Sequence, residues 1–284
     1  CQKKFAVIDP LNDKKNKNFT TTRLSPGDPS PFKINNAGSK NKKWLLTCDH
    51  ASNRVPYHMD NLSLSPKELS RHIAWDIGAM GMANEISRIL DAPLVSGNYS
   101  RLIIDLNRPI SSPTLIVDNA DGTPILANTN VSHLEFSERV DYFHTPYHNK
   151  ISSMLDLRVM DENVPILVAI HSFTPLLNNT NRPWHIGLLY EHDDRLVEPL
   201  KEAILSKNPE LIIGDNEPYA IRGPSDYTIP FHGQDRGIPH IEIEVRQDLI
   251  ETQEKQIIWG QRLASALISV VNSIPPMKII TPKT

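Results

Sequence analysis

Pro165-Ile166-Leu167-Val168-Ala169-Ile170-His171 is an unbroken apolar run closed by a histidine. Trp44-Leu45-Leu46-Thr47-Cys48-Asp49-His50 has the same form nearer the N-terminus. Apolar runs of this length, bounded by polar residues, read as strands buried on both faces of an α/β sheet. Ligands of such sheets bind beyond the carboxyl ends of the strands. Two imidazoles delivered to that edge from separate strands are the beginning of a metal site. A third apolar run, Ile238 to Val245, carries acids in Ile241-Glu242-Ile243-Glu244-Val245-Arg246. Two histidines and a glutamate from different strands point to metal-assisted hydrolysis.

Outward from these strands the pattern alternates. Ser65-Pro66-Lys67-Glu68 is a capping box with proline at the first helical position, and the apolar spacing continues through Ile73, Ile77, Met80, Ile86 and Leu90. That predicts one long helix. A strand is expected at Arg101 to Leu106, and a helix over Ser137 to Val159, kinked or broken at Pro146. Ile186 to Tyr190 reads as a strand, Arg195 to Ser206 as a helix and Thr252 to Ile274 as the closing helix. The proline-rich stretch Leu211 to Gln234 reads as a long active-site loop. Together these imply a central mixed, mainly parallel sheet with helices on both faces. Residues 1–42, rich in Lys, Asn, Pro, Ser and Thr, are expected to be a flexible tail that begins to dock near Pro31-Phe32, and 43–284 a single domain.

Composition narrows the function. A net charge of −3 offers no electrostatic case for nucleic acid, and no apolar stretch is long enough to span a bilayer. Two cysteines, Cys1 and Cys48, make no disulfide framework, which favours a reducing, cytoplasmic setting. A first residue of Cys rather than Met is expected to mark a processed or truncated N-terminus.

The candidate site residues each have a plainer alternative. His50 and His171 are either metal ligands or hydrogen-bonding histidines at strand ends. His72 and Asp76, four apart, would share a helix face. Asp76 is then a ligand, or it orients a ligand imidazole from behind. Arg101 and Arg108 bracket the 101–109 segment, and a guanidinium fork grips a carboxylate in bidentate fashion. Glu242, Glu244 and Arg246 share one strand face by the period of two. Either glutamate suits a general base, and periodicity does not choose between them. His144 and His148 are interrupted by Pro146 and read as structural; His185 begins a strand that can line the pocket.

Five segments together resemble the N-formylglutamate amidohydrolase family. They are Cys48-Asp49-His50-Ala51-Ser52-Asn53, His72 to Ala79, Ser100 to Pro109, His171-Ser172-Phe173-Thr174-Pro175 and Ile243 to Leu249. The resemblance places the chain near the zinc carboxypeptidase and aspartoacylase group and implies a phosphorylase/hydrolase-like sheet. It implies one zinc ion held by His50 and His171, and Glu244 as the group that activates water. It also implies Arg101 polarising the scissile carbonyl, and Asn107 with Arg108, helped by Arg246, on the substrate carboxylate. In that group a glutamate ligand follows the first histidine by three residues; here the position is Asn53. The third ligand is therefore Asn53 or, in its place, Asp76. The implied activity is hydrolysis of N-formyl-L-glutamate, or a similar N-acyl amino acid, in histidine degradation. The alternatives are another carboxylate-bearing amide or peptide hydrolase on the same scaffold, or a catalytically silent ligand-binding relative.

Overall fold

The structure is a computed structural model that describes residues 24–160, 164–221, 225–273 and 278–279. Its strands are β1 (Phe32–Asn35), β2 (Trp44–Cys48), β3 (Leu94–Gly97), β4 (Asn119–Ala120), β5 (Thr123–Pro124), β6 (Ile166–Phe173), β7 (Leu176–Leu177), β8 (Thr180–Asn181), β9 (Ile186–Leu189), β10 (Ile213–Asp215) and β11 (His240–Arg246). The α-helices are α1 (Pro66–Leu69), α2 (Ala79–Leu90), α3 (His133–Arg139), α4 (Thr145–Met160), α5 (Val197–Lys207) and α6 (Gln253–Ser273). Seven strands form the main sheet in the order β1-β3-β2-β6-β11-β9-β10. Parallel pairing joins β3, β2, β6 and β11, and also β9 to β10; β1 and the β9–β11 pair are antiparallel. The mixed, mostly parallel α/β sheet expected from the sequence is what forms. β1 lies inside the stretch assigned to the tail, so folded structure begins before residue 43. Residues 1–23 of that stretch lie outside the described residues.

Both faces of the sheet are covered, which explains the unbroken apolar runs. Leu46, Val168, Ile170, Ile241 and Ile243 pack with α2, α5 and α6 on one face. Leu45, Val95, Leu167 and Ala169 pack with Tyr147, Ile151 and Leu155 of α4 on the other. Successive side chains alternate between faces. Asp49, His171, Glu242 and Glu244 therefore fall on the α4 side, toward the carboxyl ends of β2, β6 and β11.

Two expected elements do not form. The predicted helix from residue 65 to 90 is two helices. Ser65 caps α1, its hydroxyl accepting from the Glu68 amide at 3.2 Å, but the chain then turns until α2 starts at Ala79. Gly78 stands at that start with φ +80°, and a Cβ there would come within 2.2 Å of the Ile250 carbonyl oxygen. A left-handed residue breaks the α-helical ladder, and only glycine fits here. His72 and Asp76 therefore share no helix face. Arg101 to Leu106 is a series of turns rather than a strand. Its apolar residues Leu102, Ile103 and Ile104 fill a second core with Val55, Met59, Leu115 and Phe143. An apolar run of that length carries no period that separates the two fates.

Pro146 does not end its helix. A π-helical turn over Val140–His144 leads into α4, with the Thr145 amide bonding the Val140 carbonyl, and the proline falls in the first turn of α4, where its missing donor costs least. This brings His144 and His148 together on the buried side, their rings 4.4 Å apart. His144 Nε2 donates to the Arg108 carbonyl and His148 Nε2 to the Leu106 carbonyl, each at 2.8 Å. With that proton fixed, His148 Nδ1 is an acceptor and takes a hydrogen bond from His232 Nε2 at 2.9 Å. The turn between residues 105 and 108 is thus pinned from behind by two histidines, with His232 bracing the second.

Gly78→Ala should lower stability by about 1–3 kcal/mol, read as a lower urea midpoint with unchanged slope; an unchanged midpoint would show that the helix break does not depend on this residue. Burial lowers the pKa of His148 well below its ordinary value and brings that of His232 to about 3. The unfolded chain then takes up protons below about pH 6.5 that the folded chain refuses, so stability falls as pH drops through the 6 to 4 range, by up to about 1.4 kcal/mol per pH unit for each group. His232→Gln should make that fall measurably shallower in urea titrations at pH 6, 5 and 4.

Candidate active site

His50 follows β2, His171 lies within β6, and Asp76 sits on the turn before α2. One nitrogen or oxygen atom from each lies within 4.8 Å of those of the other two, and all three side chains are buried. Backbone contacts draw Asp76 in: its amide donates to the His50 carbonyl at 2.9 Å, and its carboxylate accepts from the Ser172 amide at 3.3 Å.

Each imidazole is oriented from behind by a second carboxylate. His50 Nε2 lies 2.7 Å from Asp105 Oδ1, and His171 Nε2 3.2 Å from Asp49 Oδ2. A carboxylate only accepts, so Nε2 of His50 carries a proton, and Nδ1 of the neutral ring is a bare lone pair. That Nδ1 has no hydrogen-bond partner and faces Asp76 Oδ2 at 3.4 Å. His171 Nδ1 approaches the same oxygen at 2.8 Å. A lone pair from a ring tethered at its far nitrogen, aimed with a carboxylate at one point, is the arrangement metal-ligating histidines adopt, and His50 has it. Two imidazoles and one carboxylate also make a set that suits catalytic zinc. The residues present fit such an ion.

The electrostatics favour positive charge at this point. Burial alone would raise the pKa of Asp49, Asp76 and Asp105, but the histidines, and for Asp105 chiefly Arg101, hold all three carboxyls below the ordinary range. Burial opposes charge on His171, yet Glu242, Asp49 and Asp76 outweigh it and lift its pKa well above the usual value.

A cavity of about 230 Å³ opens beside the trio. Glu242 and Glu244 line it from β11, and Glu244 is in register with His171 on the neighbouring strand. Burial pushes both glutamates up to about 8. Arg101 lines the cavity with two of its nitrogens on Asp105 Oδ2, at 3.1 and 2.5 Å, and a third 3.7 Å from Asp76. Asn107 and Arg108 lie across from them on the pinned turn. Asn107 Nδ2 and Arg108 Nη1 both point at Asp226 Oδ1, each at 3.4 Å. Tyr219, Ala220 and Asp226 bring the expected loop over Leu211 to Gln234 into the lining, although β10 gives that stretch one short strand.

Two predicted site residues stand elsewhere. Asn53 donates from Nδ2 to the Leu69 carbonyl at 2.9 Å. The chain after His50 is extended rather than helical, so a side chain three residues on turns toward α1 and not back to the histidine. Arg246 grips Asp248 at 2.8 Å and reaches the Pro183 and Trp184 carbonyls, fixing the end of β11 outside the cavity. His185 accepts from the Ile212 amide at 2.9 Å and also lies outside. The sequence reading missed the orienting roles of Asp49 and Asp105, and Asp226 altogether. Both orienting acids stood inside segments already quoted, within five residues of a candidate histidine or arginine.

A crystal structure of a gene product from Agrobacterium tumefaciens is similar to this fold with a TM-score of 0.84 and 29% identity, over 88% of this chain and 98% of that one. The N-formylglutamate amidohydrolase from Ralstonia eutropha JMP134 has the same fold, with a TM-score of 0.64 and 16% identity over 87% of this chain and 100% of that one. No match is found among curated proteins. Among the described residues no helix is long and apolar enough to cross a membrane. The N-formylglutamate amidohydrolase family model matches residues 42–251, a span that holds every group of the cavity described above, and the chain belongs to that family.

Proposed function

We propose that the protein is a zinc-dependent amidohydrolase that cleaves the acyl amide of an N-acyl amino acid such as N-formyl-L-glutamate. The observation that carries the proposal is the unpartnered Nδ1 of buried His50, aimed with His171 at Asp76 beside Glu244. His50, His171 and Asp76 would hold the ion, which supplies Lewis-acid polarisation and water activation when bound.

The remaining steps belong to the chain. Glu244 keeps a buried Oε2 without a partner and stands in register with His171, so it accepts the proton of the attacking water and returns it to the leaving nitrogen. Arg101, anchored by Asp105, presents a fixed positive charge to the carbonyl oxygen as charge develops there. Asn107 and Arg108 hold the substrate carboxylate, and their histidine-pinned turn fixes the distance from carboxylate to scissile bond, so that binding becomes orientation. Hydrolysis yields the free amino acid and the carboxylate of the acyl group.

Glu244→Gln should leave zinc stoichiometry intact while lowering kcat on an N-formyl amino acid by about 10²–10⁴-fold, followed by formate release; a near wild-type rate would remove Glu244 from the mechanism. Asp76→Ala should weaken zinc retention on dialysis, measured by metal analysis, whereas Asn53→Ala should not alter it. Equal retention in wild type and Asp76→Ala would take Asp76 out of the ligand set.

A further inference from the structure

The carboxylate grip of the cavity already has an occupant from the chain itself. Asp226 Oδ1 lies 3.4 Å from Asn107 Nδ2 and 3.4 Å from Arg108 Nη1. One oxygen thus faces both groups that hold the substrate carboxylate in the proposed reaction. An aspartate side chain and a substrate carboxylate are the same chemical group, so donors that suit one suit the other.

The grip is built separately from its occupant. Asn107 Oδ1 accepts from the Tyr227 and Thr228 amides at 3.0 and 2.9 Å, which orients its Nδ2 without the Asp226 side chain. Arg108 Nη1 also donates to the Asn107 carbonyl at 2.9 Å, and His144 holds the Arg108 carbonyl at 2.8 Å. Backbone contacts therefore place the donors, and Asp226 fills the space in front of them. It fills it loosely. Charge-assisted hydrogen bonds close to about 2.7–2.9 Å, and both contacts are longer. The other oxygen, Oδ2, accepts from the Ser225 hydroxyl at 2.8 Å. Arg108 and His171 favour the ionised carboxyl, Asp105 opposes it, and burial outweighs the cations and raises its pKa.

We infer that Asp226 is an internal stand-in for the substrate's carboxylate, seated on Asn107 and Arg108 until substrate displaces it, and that it weakens the apparent affinity for N-acyl amino acids, dicarboxylic ones included. This rests on the amidohydrolase reading through one point, the assignment of Asn107 and Arg108 as the carboxylate grip. Binding is then an exchange, in which one carboxylate leaves the two donors and another takes them. The observed affinity is the intrinsic one reduced by the fraction of molecules whose grip is open. Exchange keeps Arg108 paired in both states, which matters because an unpaired charge out of water is costly. The Ser225 hydroxyl gives the displaced side chain a partner.

Calorimetry with N-acetyl-L-glutamate and with its diamide, which has no carboxylate, decides the matter. The proteins are zinc-loaded and all carry Glu244→Gln, so that the ligand is not consumed. Adding Asp226→Asn or Asp226→Ala should each tighten N-acetylglutamate binding about tenfold and leave the diamide no tighter. The first substitution keeps the shape of the side chain and the second removes it, so a gain in only one of them points to packing and overturns the inference. Equal or weaker binding of N-acetylglutamate in both, or an equal gain for the diamide, overturns it as well. Failure of every protein to bind N-acetylglutamate would remove the grip and the inference together. Formate release from N-formylglutamate, with Glu244 intact, is read separately: no turnover alongside the expected affinity pattern would sink the amidohydrolase reading and leave the exchange standing.

Discussion

His50 and His171 each have a carboxylate behind the ring and Asp76 in front of it, and the rest of the site is organised around that fact. Asp105 fixes which nitrogen of His50 carries a proton and which way that ring faces, while Asp49 stands 3.2 Å from His171 Nε2 and Asp76 takes the hydrogen bond of His171 Nδ1. Without them a strand-end imidazole is free to rotate about its χ angles, and the two Nδ1 atoms would have no reason to share a focus. Tethering therefore does more than add hydrogen bonds. It turns two loosely defined groups into one preorganised pair, and a ligand set loses little conformational freedom on binding when its members are already held.

The tethers are themselves supported. Asp49 accepts from the Tyr147 hydroxyl at 2.5 Å, which connects the His171 end of the site to α4. Asp105 accepts from Arg101 and from the Asn107 amide, which connects the His50 end to the turn that carries Asn107 and Arg108. That turn is in turn fixed by His144 and His148, also from the π-turn and α4. One helical segment thus supports both the histidine cluster and the turn that carries Asn107 and Arg108. A buried carboxylate lacking partners is expensive, so each acid in this cluster is retained only because a neighbour satisfies it.

What was readable in the sequence follows from this construction. β2, β6 and β11 were legible because a strand covered on both faces is mostly apolar: residues 166–170 are so throughout, and Thr47 is the one polar residue in 44–48. His50, His171, Glu242 and Glu244 were legible because they punctuate those runs. The turns were not. Leu102 to Ile104 is as apolar as a strand but serves a second core, and composition cannot tell one burial from the other. The helix through residue 78 failed on a single backbone angle at Gly78. Asn53 was weighed as a ligand because the resembling group carries its glutamate ligand at that spacing, and here the side chain binds the Leu69 carbonyl instead. Asp226 stands more than a hundred residues from Arg108, and nothing local marks it.

The division between the legible and the hidden tracks the division of labour. Strands bring side chains to the sheet edge with a spacing that register sets, which is why Glu244 and His171 arrive side by side. Charge balance around those side chains is set by loops: the turns carrying Asp76, Asp105 and Arg108, and the segment carrying Asp226. Chemistry that any member of this fold performs can reside in the strand-end groups. Exchanging Asp226 for a neutral residue would change the charge that faces Arg108 without moving a strand.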